Sequence, residues 1–306
     1  PLAAAYARYG VSEGYYPWDR IDGRFDVGRE PNECHRFGWV VEIDPRNPIS
    51  TPKKRTALGR FKHEGAGNIV NGDGRFVVYQ GDDQRFDYVY KFVTADKVDF
   101  GNREANRDLL DSGTLYVARF DPDGRGEWLP LVVGHPKRSG FKDQGAILIH
   151  ARLAADALGA TKMDRPEDVE ANPKTGKVYV MLTNNNKRKP QDVDAANPRA
   201  ENRFGHIIEI TPDGGDHAAT GFAWEILVKC GDPTIAEVGA TFNSATSKEG
   251  WFGMPDNCAI DADGRLWVAT DGNSVEVTGR IDGLLAMETE GDLRATSRLS
   301  FRCPPG

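Results

Sequence analysis

Long apolar runs are missing from this 306-residue chain, and none approaches the roughly 20 consecutive positions a membrane-spanning helix needs. A net basic charge is missing too. The formal charge is −7, which removes the electrostatic footprint of a nucleic-acid binder, so no specific nucleic-acid partner is expected. Cysteine is scarce: Cys34, Cys230, Cys258 and Cys303 form no CxxC pair, which argues against a zinc ribbon or a dithiol redox motif. The four allow three disulfide pairings, among which the sequence does not choose. Cys258, at the start of an apolar strand, reads as a small buried hydrophobe. The six histidines are scattered singly, and HExxH, GxSxG and a phosphate-cradling glycine loop are all absent. These absences disfavour a His-rich zinc site and a nucleophile-elbow hydrolase. Helical periodicity is sparse as well, with candidates only at Ala151–Gly159 and Asn102–Leu110.

What the chain does have is short strands and turns. Runs at Phe37–Ile43, Arg75–Gln80, Tyr88–Val93, Thr114–Phe120, Lys177–Leu182, His206–Ile210 and Arg265–Thr270 are rich in Val, Ile, Tyr, Trp or Phe. Each is flanked by Gly, Asp, Asn or Pro, the pattern of an all-β fold. Gly 34 and Pro 18, about a sixth of the residues, suit many tight turns. A weak repeat runs through Asn71–Asp82, Asn172–Asn184 and Asp261–Asp271. Each copy is an Asx/Gly turn, a basic residue, an apolar strand and a polar residue at the strand end. A second strand follows each copy, as in the hairpins of a β-propeller. Gly113–Leu131 reads as an unmarked hairpin of a degenerate blade between copies. Residues 1–306 are expected to form one propeller domain, incomplete at both ends.

Polar residues at strand ends are the first candidates for chemistry. Asp82, Asp83, Asn184, Asn185 and Asp271 follow apolar strands, and converging carboxylate and amide oxygens suit a hard cation such as calcium. Asp and Asn also start turns for purely structural reasons. Lys62-His-Glu-Gly65 could present Glu64 beside a close backbone approach. In Asp164-Arg-Pro-Glu-Asp168, Pro166 stiffens the chain and fixes the direction of Glu167. Arg199 and Glu201 are two apart, so an extended backbone aims both to one side, where a guanidinium would grip phosphate beside a metal-ligating carboxylate. Met254-Pro-Asp-Asn257 places Asp256 and Asn257 at a strand start, as oxygen ligands or orienters.

Taken in order, Phe37–Pro45, Arg55–Gly65, Tyr79–Asp83 with Tyr88–Phe92, Arg165-Pro-Glu167, Asn197–Asn202 and Met254–Asn257 resemble successive landmarks of the PhoX alkaline phosphatases. The resemblance covers most of the chain. It implies a six-bladed propeller with added segments, twin-arginine export to the periplasm or outside the cell, and a mixed iron and calcium cofactor. The implied activity is hydrolysis of small phosphate monoesters. The chain is expected to be a monomer. By motif, Glu64 and Glu167 fall where the family places metal-binding carboxylates. Arg199 and Glu201 fall where it places a phosphate-contacting arginine and an acidic partner, with Glu201 also a metal ligand. Extending the metal set to Asp256, Asn257 and Asp271 rests on position alone. The family also uses a cysteine in a Trp-Gly segment expected upstream of Pro1, a role Cys34 does not take. Two other readings stay open: a calcium propeller that opens lactones or cleaves phosphotriesters, and a non-catalytic extracellular binding propeller with structural calcium.

Overall fold

In the computed structural model, which describes residues 2–11, 15–134 and 140–302, the three repeat turns close alike. Asn71 N–H donates to Arg75 O and Gly74 N–H returns to Asn71 O, both at 2.8 Å. Asn172, Lys177 and Gly176 form the same pair of bonds, as do Asp261, Arg265 and Gly264. The returning glycines have φ of 92°, 74° and 87°, a backbone region that side chains with a Cβ avoid.

Each turn joins the first two strands of an antiparallel meander. A short ribbon, β1 (Val41–Glu42) with β2 (Lys53–Lys54), precedes them. The first meander is β3 (His63–Val70), β4 (Arg75–Asp82), β5 (Val89–Lys97) and β6 (Gly113–Phe120). After β7 (Arg125–Pro130) comes the second, β8 (Pro166–Ala171), β9 (Val178–Leu182), β10 (His206–Pro212) and β11 (Gly221–Lys229). The third is β12 (Pro255–Ile260), β13 (Leu266–Thr270), β14 (Gly283–Met287) and β15 (Ser297–Arg302). First strands meet: β8 packs against both β3 and β12. The chain is mostly β, as expected, and is built of antiparallel meanders. The Gly113–Leu131 hairpin is not a separate blade. β6 continues the first meander from β5, and β7 pairs with both β6 and β11, fusing the first two meanders into one nine-stranded sheet.

The apolar runs of the second strands follow from burial on both faces. In β9, Val178, Val180 and Leu182 enter the core shared with the first meander. Tyr179 and Met181 point the other way, into the core shared with the third. Alternation along a strand makes this possible, and each such buried side chain contributes about 1.5–3 kcal/mol. A third core lies outside the first meander, under α2 (Gln144–Ile149) and α3 (Ala151–Leu158). The expected helix over Ala151–Gly159 is α3, stopped by Gly159 at φ 73°. The one expected over Asn102–Leu110 breaks into two 3-10 turns, Arg103–Asn106 and Leu109–Asp111. The Asn102 side chain accepts from Glu104 and Ala105 N–H, and no buried face supports a longer helix. Phe37–Ile43 shortens to β1, because only β2 is there to pair with it. A helix not anticipated, α1 (Leu2–Tyr9), precedes all of these. Among the described residues no helix is long and apolar enough to cross a membrane. Cys34, Cys230 and Cys258 are free thiols, and Cys303 lies outside the described residues.

Candidate metal centre

The second residue of each meander's first strand is an acid: Glu64 in β3, Glu167 in β8 and Asp256 in β12. Strand register makes these positions equivalent, since His63 pairs with Asp82, Pro166 with Leu182 and Pro255 with Thr270. The residues that follow those partners are Asp83, Thr183 and Asp271. One rim of the molecule thus collects five carboxylates from three meanders.

Glycines let the first strands come close enough. A Cβ on Gly81 would lie 1.9 Å from Glu167 O, and one on Gly67 2.0 Å from Val169 O. Gly65, at φ 64°, leaves no room for a Cβ either, with Asp168 Oδ1 2.0 Å from where it would be. This is why His63–Val70, poor in strand-forming residues, is a strand: it is pinned by backbone approach rather than by side-chain packing. Asp168 itself turns away from the rim. Its oxygens accept Val169 N–H at 2.9 Å and Cys258 N–H at 3.0 Å, tying β8 to β12.

Glu64, Asp83 and Glu167 converge, each offering a carboxylate oxygen within 4.8 Å of the other two. Of the adjacent pair Asp82 and Asp83, alternation sends only Asp83 to the rim. Asp82 is buried on the opposite side, accepting from Arg152 Nε at 2.8 Å. Arg165 closes the group. Its Nε donates to Asp83 Oδ1 at 2.5 Å, and its Nη2 lies 3.3 Å from Asp83 Oδ2 and 3.0 Å from Glu167 Oε1. The contact to Glu167 is one of charge only, because Glu167 Oε1 is buried without a hydrogen bond. Arg165 has φ 58°, a left-handed conformation that costs a non-glycine residue about 1–3 kcal/mol and is tolerated where the surroundings over-determine it.

The electrostatics of the rim are those of crowded acids. Burial, followed by Asp83 and Asp256, pushes the Glu167 carboxyl far above its usual range. Burial, then Asp271 and Glu64, push Asp256 up to about 7. Glu64 is raised by burial, then by Asp83 and Asp168. An all-oxygen donor set in which Glu64, Glu167 and Asp256 are held above their usual range, with one orphaned buried oxygen among them, fits a hard cation that would relieve the repulsion.

No curated protein matches the chain. The family model for alkaline phosphatase PhoX matches residues 2–301. The chain belongs to the PhoX family. Among solved structures it is similar to Pseudomonas fluorescens PhoX in complex with vanadate, a transition state analogue, at 44% identity and a TM-score of 0.91. That likeness covers 99% of this chain and 55% of the other, so the chain spans just over half the length of that PhoX.

Within this PhoX chain the anticipated residues separate. Glu64, Glu167, Asp256 and Asp271 act on one another at the rim. Arg199 is held elsewhere: Nη1 donates to Cys230 O at 2.8 Å and Val238 O at 3.2 Å, and Nη2 donates to Gly205 O. Its Nη donors thereby clamp the connections around β10 and β11. The Glu201 side chain is exposed, and its backbone N–H donates to Arg188 O at 2.8 Å. Asn257 is exposed on β12, next to the buried Asp256. Asp83 and Arg165, which complete the group, were visible in the sequence only as a strand-end acid and as part of a charged pentapeptide.

Proposed function

We propose that this chain carries the metal-binding rim of a phosphomonoesterase that releases inorganic phosphate from small organic phosphate esters. The observation that carries the reading is one guanidinium fixed between two carboxylates of a cation-binding group. Lactone opening has no use for that guanidinium, and a purely structural calcium site has no use for its strained backbone. Glu64, Asp83 and Glu167, with Asp256 and Asp271 beside them, would hold the cations. Calcium suits the oxygen donors, and iron follows from the family resemblance. Bound cations would polarise the phosphoryl oxygens and offset their negative charge.

The chain's own residues do the positioning. Asp83 and Glu167 orient Arg165, whose Nη1 has no partner among the described residues and remains to donate to a phosphoryl oxygen. In the hydrolysis, the oxygen of water joins phosphorus and the ester P–O bond breaks. The electron pair goes to the leaving oxygen, which takes a proton, giving phosphate and an alcohol. We assign the guanidinium role to Arg165, since the Nη donors of Arg199 are spent on carbonyls. We further read 1–306 as part of one six-bladed propeller, exported from the cytoplasm and working as a monomer.

The test uses the intact, metal-loaded protein and a chromogenic phosphomonoester. Arg165→Ala is expected to lower kcat/KM by about 10²–10³, the usual effect of removing one transition-state donor, with metal content retained. Turnover near that of the wild type would overturn the assignment.

A further inference from the structure

A second guanidinium stands beside Arg165 and is held quite differently. The backbones of Arg85 and Asp164 form an isolated antiparallel bridge, so Arg85 and Arg165 leave the chain from neighbouring positions. Arg165 and Asp83 are the charges that act most on Arg85. Arg165 is paired with Asp83 and lies 3.0 Å from Glu167 Oε1. Arg85 has no such partner. Among the described residues no carboxylate lies within ion-pair distance of it. Its Nη2 donates to the neutral Asn184 Oδ1 at 3.0 Å, and its Nε is buried without a hydrogen bond.

The neighbourhood fixes this arrangement. Phe86, the next residue, has φ 69°, its N–H donates to Met163 O at 2.9 Å, and the Arg188 guanidinium lies 5.1 Å from its ring centroid. Asn184 is one of the polar residues that follow the repeat strands. The fold therefore spends backbone strain and an amide acceptor to keep a half-buried cation next to a like charge, an arrangement that is costly unless an anion arrives. Arg85 also stands one step outside the acids. Arg165 contacts Asp83 and Glu167, whereas Arg85 reaches neither and bonds to Asn184 instead.

We propose that Arg85 is a specificity-determining residue that binds an anionic substituent on the leaving group of the phosphate ester, beyond the phosphoryl group held at the rim. This rests on the phosphomonoesterase reading. The class of substrate it favours is the ester of a hydroxy acid or of a second phosphate, in which a further anion lies a few bonds from the scissile oxygen. Arg is suited to the task because its planar fork binds carboxylate or phosphate with two parallel bonds.

The test compares 3-phosphoglycerate, whose leaving group carries a carboxylate, with p-nitrophenyl phosphate, whose leaving group carries no charged substituent, on intact, metal-loaded protein. Arg85→Ala is expected to lower kcat/KM for 3-phosphoglycerate by about tenfold more than for p-nitrophenyl phosphate, mainly through KM, the scale of losing one charge-assisted contact. Arg85→Lys should recover part of that selectivity, and Asn184→Ala should lose a smaller share of it. Metal content and the thermal midpoint report whether each variant is folded and loaded. Equal losses on the two substrates, in Arg85→Ala or in the milder pair, would overturn the inference and leave the phosphatase reading standing. A wild-type protein that hydrolysed neither substrate would overturn both.

Discussion

The two rims of the meanders put the same residue types to opposite use. At the turn rim, Asp73 accepts Arg75 N–H at 3.0 Å and Arg75 Nε at 2.7 Å in the open, and those donors hold its carboxyl down to about 2. Asp261 is likewise lowered, chiefly by Trp267 Nε1 donating at 2.9 Å. At the other rim, Asp256 is pushed up to about 7 and Glu167 further, because both are buried among acids. Local donors settle a carboxylate into a turn. Burial beside like charges leaves it calling for a cation. The distinction lies in which strands meet, not in the residues themselves.

Glycines offer the sharpest way to break this contrast. Gly81→Ala would drive a Cβ against the Glu167 carbonyl, a backbone atom that has little room to move. A loss of about 1–3 kcal/mol is expected from such overpacking, together with weaker cation binding. Gly72→Ala, at the turn rim with nothing within 4 Å, should shift stability by under about 1 kcal/mol, in the stabilising direction. Urea denaturation of the two variants checks both, and equal effects would mean that the rims are packed alike.

Acid separates the rims less strongly. Burial pushes His206, at the head of β10, down to about 4, whereas an unfolded histidine titrates near 6.5. Between these values the unfolded chain takes up a proton that the folded chain refuses, so stability falls as pH drops from about 6.5 towards 4. The scale is on the order of 1.4 kcal/mol per unit of pKa difference. His206→Gln should flatten part of that slope, as read from unfolding midpoints at a series of pH values; an unchanged slope would assign it to other groups. The smallest effect belongs to Asp73→Asn. An amide oxygen still accepts Arg75 N–H, so a change within about 0.5 kcal/mol is expected, measurable by the same denaturation curves. A larger loss would show that the turn rim is more than a set of solvated caps.

These contrasts also explain what was legible in the sequence. Strands β4, β9, β10 and β13 stood out because burial on one or both faces writes a run of apolar residues. β3 was hidden: His63–Val70 contributes backbone, glycines and an acid to the rim and little packing, so it carries no such run. Glu64 and Glu167 could be named as candidates from the motifs that resemble the PhoX family, and Asp256 and Asp271 from their places beside strands. Asp83 could not be told from Asp82 without the register that turns one to Arg152 and the other to Arg165. Arg165 and Arg199 pose the same difficulty, since Arg165-Pro-Glu167 and Arg199-Ala-Glu201 share one spacing. Only the first enters a strand that meets β3, and only there do guanidinium and carboxylates converge.

Cation binding at Glu64, Asp83 and Glu167 is the central claim about this rim. The direct measurement is the thermal midpoint of the intact, metal-stripped protein during a calcium titration. A saturable rise is predicted for the wild type, about 2.7 kcal/mol of added stability at a hundredfold excess over Kd. That rise should persist in Asp73→Asn and be lost or much reduced in Glu167→Gln. No rise in the wild type, or an equal rise in Glu167→Gln, would contradict it.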